Sequence, residues 1–272
     1  VVVMQRDNTV QAGIRDRIRE QRDEGLDVKR VFPVLDTQIK RDILKTGCVI
    51  AGNGGGGKTN LAKVICRELL KDENIQLKIF DKAQNWVHNF EPILYQDLDV
   101  KVLENRGFYF EDQPILFNCR INTPAEIKQV ISDVVSYDYD YHWELKKIAQ
   151  MNRWLAYVIE EAQNVLGTIG LNDIWNTFIS EGRNFNMSFM FLTRRMAQLS
   201  PKAREQVQSY IWCRTVGQLD LDRVAKIAGK EVAAMLPTLD VGEFVYYNGE
   251  NSYKLVDVPL YEAVDEPVRW EP

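Results

Sequence analysis

Short apolar runs that stop at a glycine or an acid alternate along this chain with stretches whose apolar positions return every three or four residues. Cys48-Val49-Ile50-Ala51 is such a run, and the glycines behind it predict a buried strand feeding a loop. Leu61, Val64, Ile65 and Leu69 then keep helical spacing. A second strand is expected at Leu77-Lys78-Ile79-Phe80, ending at Asp81. Thr123-Pro124-Ala125-Glu126 reads as a capping box with proline at the first helical position, and Ile127, Val130, Ile131 and Val134 carry its apolar face onward. Another helix is expected over 142–152, strands over 155–159 and 188–192, and a helix around 174–180 between them. Segments 243–247 and 253–258 alternate apolar and polar residues about Asn248-Gly249-Glu250-Asn251, the pattern of a β-hairpin. Strands and helices in alternation imply an α/β fold with a mostly parallel sheet covered on both faces.

Residues 1–45 break this rhythm. Arg15, Arg17, Arg19, Arg22, Lys29 and Arg30 are interleaved with Asp16, Glu20, Asp23, Glu24 and Asp27, which suits a solvated arm or accessory helix. One domain is expected over 46–260, with an acidic tail over 261–272.

Composition narrows the class. The 272 residues are 45% hydrophobic and 27% charged, ordinary for a globular protein with a sizeable core. A net charge of -5 excludes coating nucleic acid by bulk positive charge, so any such contact needs a local basic surface. Cys48, Cys66, Cys119 and Cys213 show no CxxC spacing and only two histidines accompany them, which argues against a zinc site or a disulfide framework. No apolar run approaches the ~20 residues of a membrane span, and a cytoplasmic protein is expected.

Gly52-Asn53-Gly54-Gly55-Gly56-Gly57-Lys58-Thr59 carries the most specific chemistry. It fits G-x-x-x-x-G-K-[ST] between a strand and a helix, the context that makes the pattern a P-loop rather than a glycine-rich turn with a solvated lysine. Glycines let successive N–H groups curl around phosphate oxygens at the positive end of the following helix. Lys58 would bridge the β- and γ-phosphates of ATP, Thr59 would hold Mg²⁺, and Asn60 adjoins the nucleotide. Downstream, Trp154-Leu155-Ala156-Tyr157-Val158-Ile159 runs into Glu160-Glu161-Ala162-Gln163. Two carboxylates at the end of a buried strand behind a P-loop suit Mg²⁺ coordination by Glu160 and polarisation of attacking water by Glu161. An acidic first turn of a helix would give the same pair. No N-K-x-D motif supports guanine reading.

These motifs, with Ser180-Glu181-Gly182-Arg183-Asn184, Thr193-Arg194-Arg195 and Leu239-Asp240-Val241-Gly242-Glu243-Phe244, resemble the HerA/FtsK superfamily of hexameric DNA-pumping ATPases over roughly residues 46–247. The resemblance implies a RecA-like P-loop core and a homo-oligomeric ring, expected as a hexamer, that hydrolyses ATP and moves double-stranded DNA after recruitment by another protein. Arg183 matches the position from which the family supplies an arginine to a neighbouring subunit's nucleotide, and Asp81 resembles an acidic position near the family's active site. Gln163 is a further candidate there. Two positions depart from the pattern. Glu160 stands where Asp is usual, and Arg194 stands where a γ-phosphate-sensing Gln is common, from which it could contact the γ-phosphate as a charge. Residues 1–45 precede the P-loop strand, a layout similar to compact viral genome-packaging members or plasmid-type ATPases, and a viral member would work in the host cytoplasm.

Arg195, Lys202 and Arg204 form with Arg194 a local basic patch that could face a central pore, although a solvated helix face explains it as well. Tyr137, Tyr139, Tyr141 and Trp143, mixed with Asp138 and Asp140, suggest a loop or an interface. A nucleotide-switched assembly or scaffold ATPase that moves no DNA is the rival to the motor.

Overall fold

The computed structural model describes residues 29–30, 37–82, 85–86, 94–97, 115–119, 123–147, 153–167, 173–255, 258 and 261. Most of the expected arm and nearly all of the acidic tail lie outside the described residues. A ten-stranded sheet in the order β1-β10-β9-β8-β2-β7-β6-β3-β5-β4 forms the centre. Seven of its strands are parallel: β2 (Cys48–Ala51), β3 (Ile75–Asp81), β4 (Leu94–Asp97), β5 (Ile115–Asn118), β6 (Trp154–Ile159), β7 (Met187–Thr193) and β8 (Ser209–Trp212). β9 (Phe244–Tyr247) pairs antiparallel with β8 and with β10 (Ser252–Leu255), the expected hairpin, and β1 (Lys29–Arg30) lies along β10.

Helices cover both faces because the central strands are apolar on both. All four residues of β2 are buried, Val49 and Ala51 in one apolar cluster and Cys48 and Ile50 in the other. On the second side pack α1 (Thr37–Thr46) and α2 (Lys58–Leu69). On the first lie α3 (Pro124–Lys147), α4 (Asp173–Glu181), the short α5 (Pro201–Glu205), α6 (Gln218–Ala228) and α7 (Lys230–Met235).

Three expectations change. The last part of segment 1–45 is helix α1, within the arm-or-accessory-helix reading, but it is not wholly solvated: Ile39 and Ile43 on one of its faces are 2% and 1% exposed. Two helices expected around 124–134 and 142–152 are the single α3 through Lys147, its start fixed by reciprocal bonds between Thr123 and Glu126. The aromatic and acidic stretch within it is therefore helix rather than loop, with Tyr139 and Trp143 packed on Phe185 at 5.0 and 5.1 Å between ring centroids.

Asp138, from that stretch, is buried and accepts two bonds of 2.7 Å from the Lys78 ammonium, with the Tyr157 hydroxyl as a third donor. Burial pushes the Lys78 ammonium below the usual lysine range, and Asp138 pulls it back. Asp138→Ala would strand a buried cation, and a loss of about 3–5 kcal/mol in urea unfolding is expected. Lys78→Met, Asp138→Leu and Tyr157→Phe made together should recover most of it, because the buried cation is removed together with the carboxylate and hydroxyl that serve it.

Candidate active site

Parallel strands end together at one edge, and there the chain turns from β2 into α2 through the glycine loop. Gly52 N–H donates to the Thr193 carbonyl at 3.3 Å and Asn53 N–H to the Arg214 carbonyl at 2.9 Å, which ties the loop to the ends of β7 and β8. Gly57 takes φ 87° at the start of α2, a backbone region costly for side-chain-bearing residues. Gly56 is required by packing: an added Cβ would lie 2.5 Å from the Cys213 sulfur beneath it. The Lys58 ammonium donates to the Gly52 and Asn53 carbonyls, both at 2.8 Å, so it is held at the mouth of the loop. Burial lowers its pKa, while Cys213, Glu161 and Glu160 raise it and Arg194 lowers it further. A phosphate anion there would raise it again.

β6 ends beside this loop and delivers both acids to it. Thr59 Oγ1 donates to Glu160 Oε1 at 2.7 Å, and Asn85 Nδ2 donates to the same oxygen at 3.0 Å. Glu160 Oε2 is buried without a hydrogen-bond partner. Asp81, at the end of the neighbouring β3, accepts the N–H groups of Asn85 and Trp86 at 3.2 and 2.9 Å. Burial first, and then the facing Glu160 carboxylate, pushes Asp81 up to about 7. Two crowded carboxylates, an unused buried oxygen and a hydroxyl make a hard, all-oxygen donor set, and Mg²⁺ fits it with phosphates and waters supplying the remaining ligands. Among the described residues no cluster of three or more His, Cys, Asp or Glu forms a self-sufficient metal cage.

Glu161 turns out of β6 at φ 50°, a region few non-glycine residues enter, and is clamped on both sides. Arg194 Nε donates to its Oε1 at 2.7 Å, and Gln163 Nε2 donates to its Oε2. Gln163 is itself oriented by the Thr193 hydroxyl at 2.8 Å. Arg194 is thus engaged with Glu161, although much of its side chain remains exposed.

The remaining candidates separate from this group. Arg183 lies in the turn before β7, at the opposite edge of the sheet. Arg195 and Lys202 are exposed. Arg204 is only 8% exposed, its Nε donates to the Ser200 carbonyl at 3.4 Å, and burial lowers its pKa, so it is not part of an open basic face. Sequence reasoning passed over Lys63 and Asn85. Lys63 is buried, donates to the Asn85 carbonyl and feels the charges of Asp81 and Glu160. Its place one helical turn after Thr59 was the available signal.

No family model and no curated protein matches the sequence. Solved structures do. The genome packaging NTPase B204 from Sulfolobus turreted icosahedral virus 2, in complex with ATP-γ-S, superposes with a TM-score of 0.58 at 17% identity over 78% of this chain and 97% of that one. VirB4 of Thermoanaerobacter pseudethanolicus gives 0.56 at 12% identity over 85% and 93%. The pCW3 conjugation coupling protein TcpA gives 0.50 at 15% over 82% of this chain and 61% of that one. At such identities the likeness is one of architecture, and the chain has the P-loop NTPase fold that the resemblance to HerA/FtsK ATPases implied.

Proposed function

We propose that this protein hydrolyses ATP and couples the hydrolysis to movement of double-stranded DNA through a homo-oligomeric ring. The observation that carries the ATPase part is the meeting, at one sheet edge, of the glycine loop, Lys58, Thr59, Glu160 and a clamped Glu161. Each has a task. Loop N–H groups and Lys58 bind phosphate oxygens, and Thr59 with Glu160 would hold Mg²⁺, which when bound neutralises charge on those oxygens. Glu161, oriented by Arg194 and Gln163, accepts a proton from attacking water. The buried β6 lies under Glu160, itself only 7% exposed, which strengthens the charge interactions on that side of the site.

DNA as the load is supported by the company the fold keeps: one similar structure is a genome packaging NTPase and another a conjugation coupling protein. Arg195 and Lys202 remain as exposed cations for phosphate contact, whereas Arg194 and Arg204 are committed elsewhere. Among the described residues no helix is long and apolar enough to cross a membrane.

The test is phosphate release with duplex DNA, with single-stranded DNA and with none, at increasing salt. Duplex should stimulate the rate, and stimulation should fall steeply with salt as counterion release loses its drive. Arg195→Glu with Lys202→Glu should remove stimulation and leave basal hydrolysis in place. A rate indifferent to DNA, in a preparation that forms rings, would favour the scaffold ATPase instead.

A further inference from the structure

Past β10 the chain returns to the P-loop edge. Val258 and Tyr261 both pack against the apolar cluster under α2. Tyr261 N–H donates to Asn60 Oδ1 at 2.8 Å, and the Tyr261 ring lies 4.9 Å from the Arg67 guanidinium carbon and 5.9 Å from Lys63 Nζ. Asn60, Lys63 and Arg67 fall on one face of the helix, so a single strip of α2 grips this residue. Asn60, read in sequence as a nucleotide contact, thus uses its side-chain oxygen to anchor the C-terminal segment.

The anchored residue borders an open cavity. A pocket of about 420 Å³ is bounded by the glycine loop, Lys58 and Thr59 at one part of its wall and by Lys63, Asn85 and Tyr261 elsewhere. Its volume is in the range that takes a small-molecule ligand. Backbone N–H groups and the Lys58 ammonium answer the phosphates of such a ligand and nothing else about it. Tyr261 is the one aromatic side chain in this wall among the described residues. A nucleobase is flat, with apolar faces and polar edges, and an aromatic ring is the surface on which it gains most.

We propose that Tyr261, positioned by Asn60, is the base-side wall of the nucleotide pocket and makes the protein prefer a nucleoside triphosphate to bare triphosphate. The inference rests on the nucleotide reading above and adds to it the residue that recognises the base. Neighbouring cations serve the same end, since Arg67 and Lys63 against the ring fix its plane before ligand arrives.

Calorimetric titration of the full chain with ATP and, separately, with inorganic tripolyphosphate, in the same Mg²⁺ buffer, tests it. Tyr261→Ala should weaken ATP about tenfold or more, the usual cost of losing one stacked base, and leave tripolyphosphate binding unchanged. Tyr261→Phe should keep the affinity of the parent. Tyr261→Leu retains apolar bulk against the core and should behave as Tyr261→Ala does, which guards against loss of folding. Asn60→Ala should shift ATP in the same direction and spare tripolyphosphate. Equal weakening of both ligands, or unchanged ATP affinity in the alanine and leucine variants, overturns the role of Tyr261 while leaving the P-loop reading intact. A parent protein that binds neither ligand overturns the nucleotide reading itself.

Discussion

Glu161→Gln is expected to bind ATP with the affinity of the parent and to release phosphate about 10²–10⁴ times more slowly, the range lost with a general base. The substitution keeps the side-chain shape and an oxygen for Arg194, whose Nε now donates to Oε1 at 2.7 Å. What it removes is the group that can accept a proton. Glu161 rather than Glu160 is assigned the base role because its carboxylate is oriented without being spent on Thr59. Glu160, by contrast, already faces Thr59, Asn85 and Asp81, the environment of a metal ligand. Binding and single-turnover hydrolysis measured on the same preparation separate the two roles. A parent-like rate in Glu161→Gln would transfer the base to another residue. Loss of ATP binding would instead make Glu161 a support for the loop.

Much of this site was legible because its residues obey strict local rules. Gly52, Gly55 and Gly57 take positive φ, which glycine adopts most readily, and an acid pair that ends a buried strand gains its meaning from the P-loop before it. The order of motifs then anticipated the fold. Features set by tertiary contact were not legible. β4, β5 and β8 are as short as β2 and β9 but have neither a glycine motif behind them nor a turn signal of hairpin type beside them, and their pairing is decided by neighbours far along the chain. The burial of Arg204 follows from the five-residue α5 packing at its Ser200 cap, which a count of positive charge cannot detect. Asp138 illustrates the same limit. In sequence its stretch reads as a loop or an interface, yet Lys78 lies 60 positions away and reaches it inside the core. The Ile39 and Ile43 pair was a missed signal of the ordinary helical kind, hidden among the charges around it.

Mixing two inactive proteins should restore activity if Arg183 serves a neighbour's nucleotide. Within one chain it cannot serve its own. Seven residues of β7, about 20 Å at ~3.3 Å per residue, separate the Arg183 turn from the strand end that meets Gly52. Its setting is that of a rigid platform. Gly182 admits no side chain, since a Cβ would lie 2.8 Å from the Phe178 ring. The His142 ring pairs with the Phe185 carbonyl at 2.7 Å, and Lys146 donates to the Asn184 carbonyl at 2.9 Å. Glu181, the neighbouring acid, accepts from Tyr139 at 3.1 Å, and among the described residues no hydrogen bond or ion pair engages the exposed Arg183 guanidinium. A fixed turn that presents an uncommitted arginine suits stabilisation of charge on a phosphoryl group held by the next subunit, a contribution worth about 10³–10⁵ in rate where such arginines act. Arg183→Ala and Lys58→Ala proteins should therefore each be inactive, the first still binding ATP and the second not. In a co-assembled mixture, some interfaces join an intact Lys58 to an intact Arg183, and ATPase activity should reappear in proportion to their number. Co-assembly without recovery, or an Arg183→Ala protein as fast as its parent, would return Arg183 to the role of a surface residue on the turn before β7.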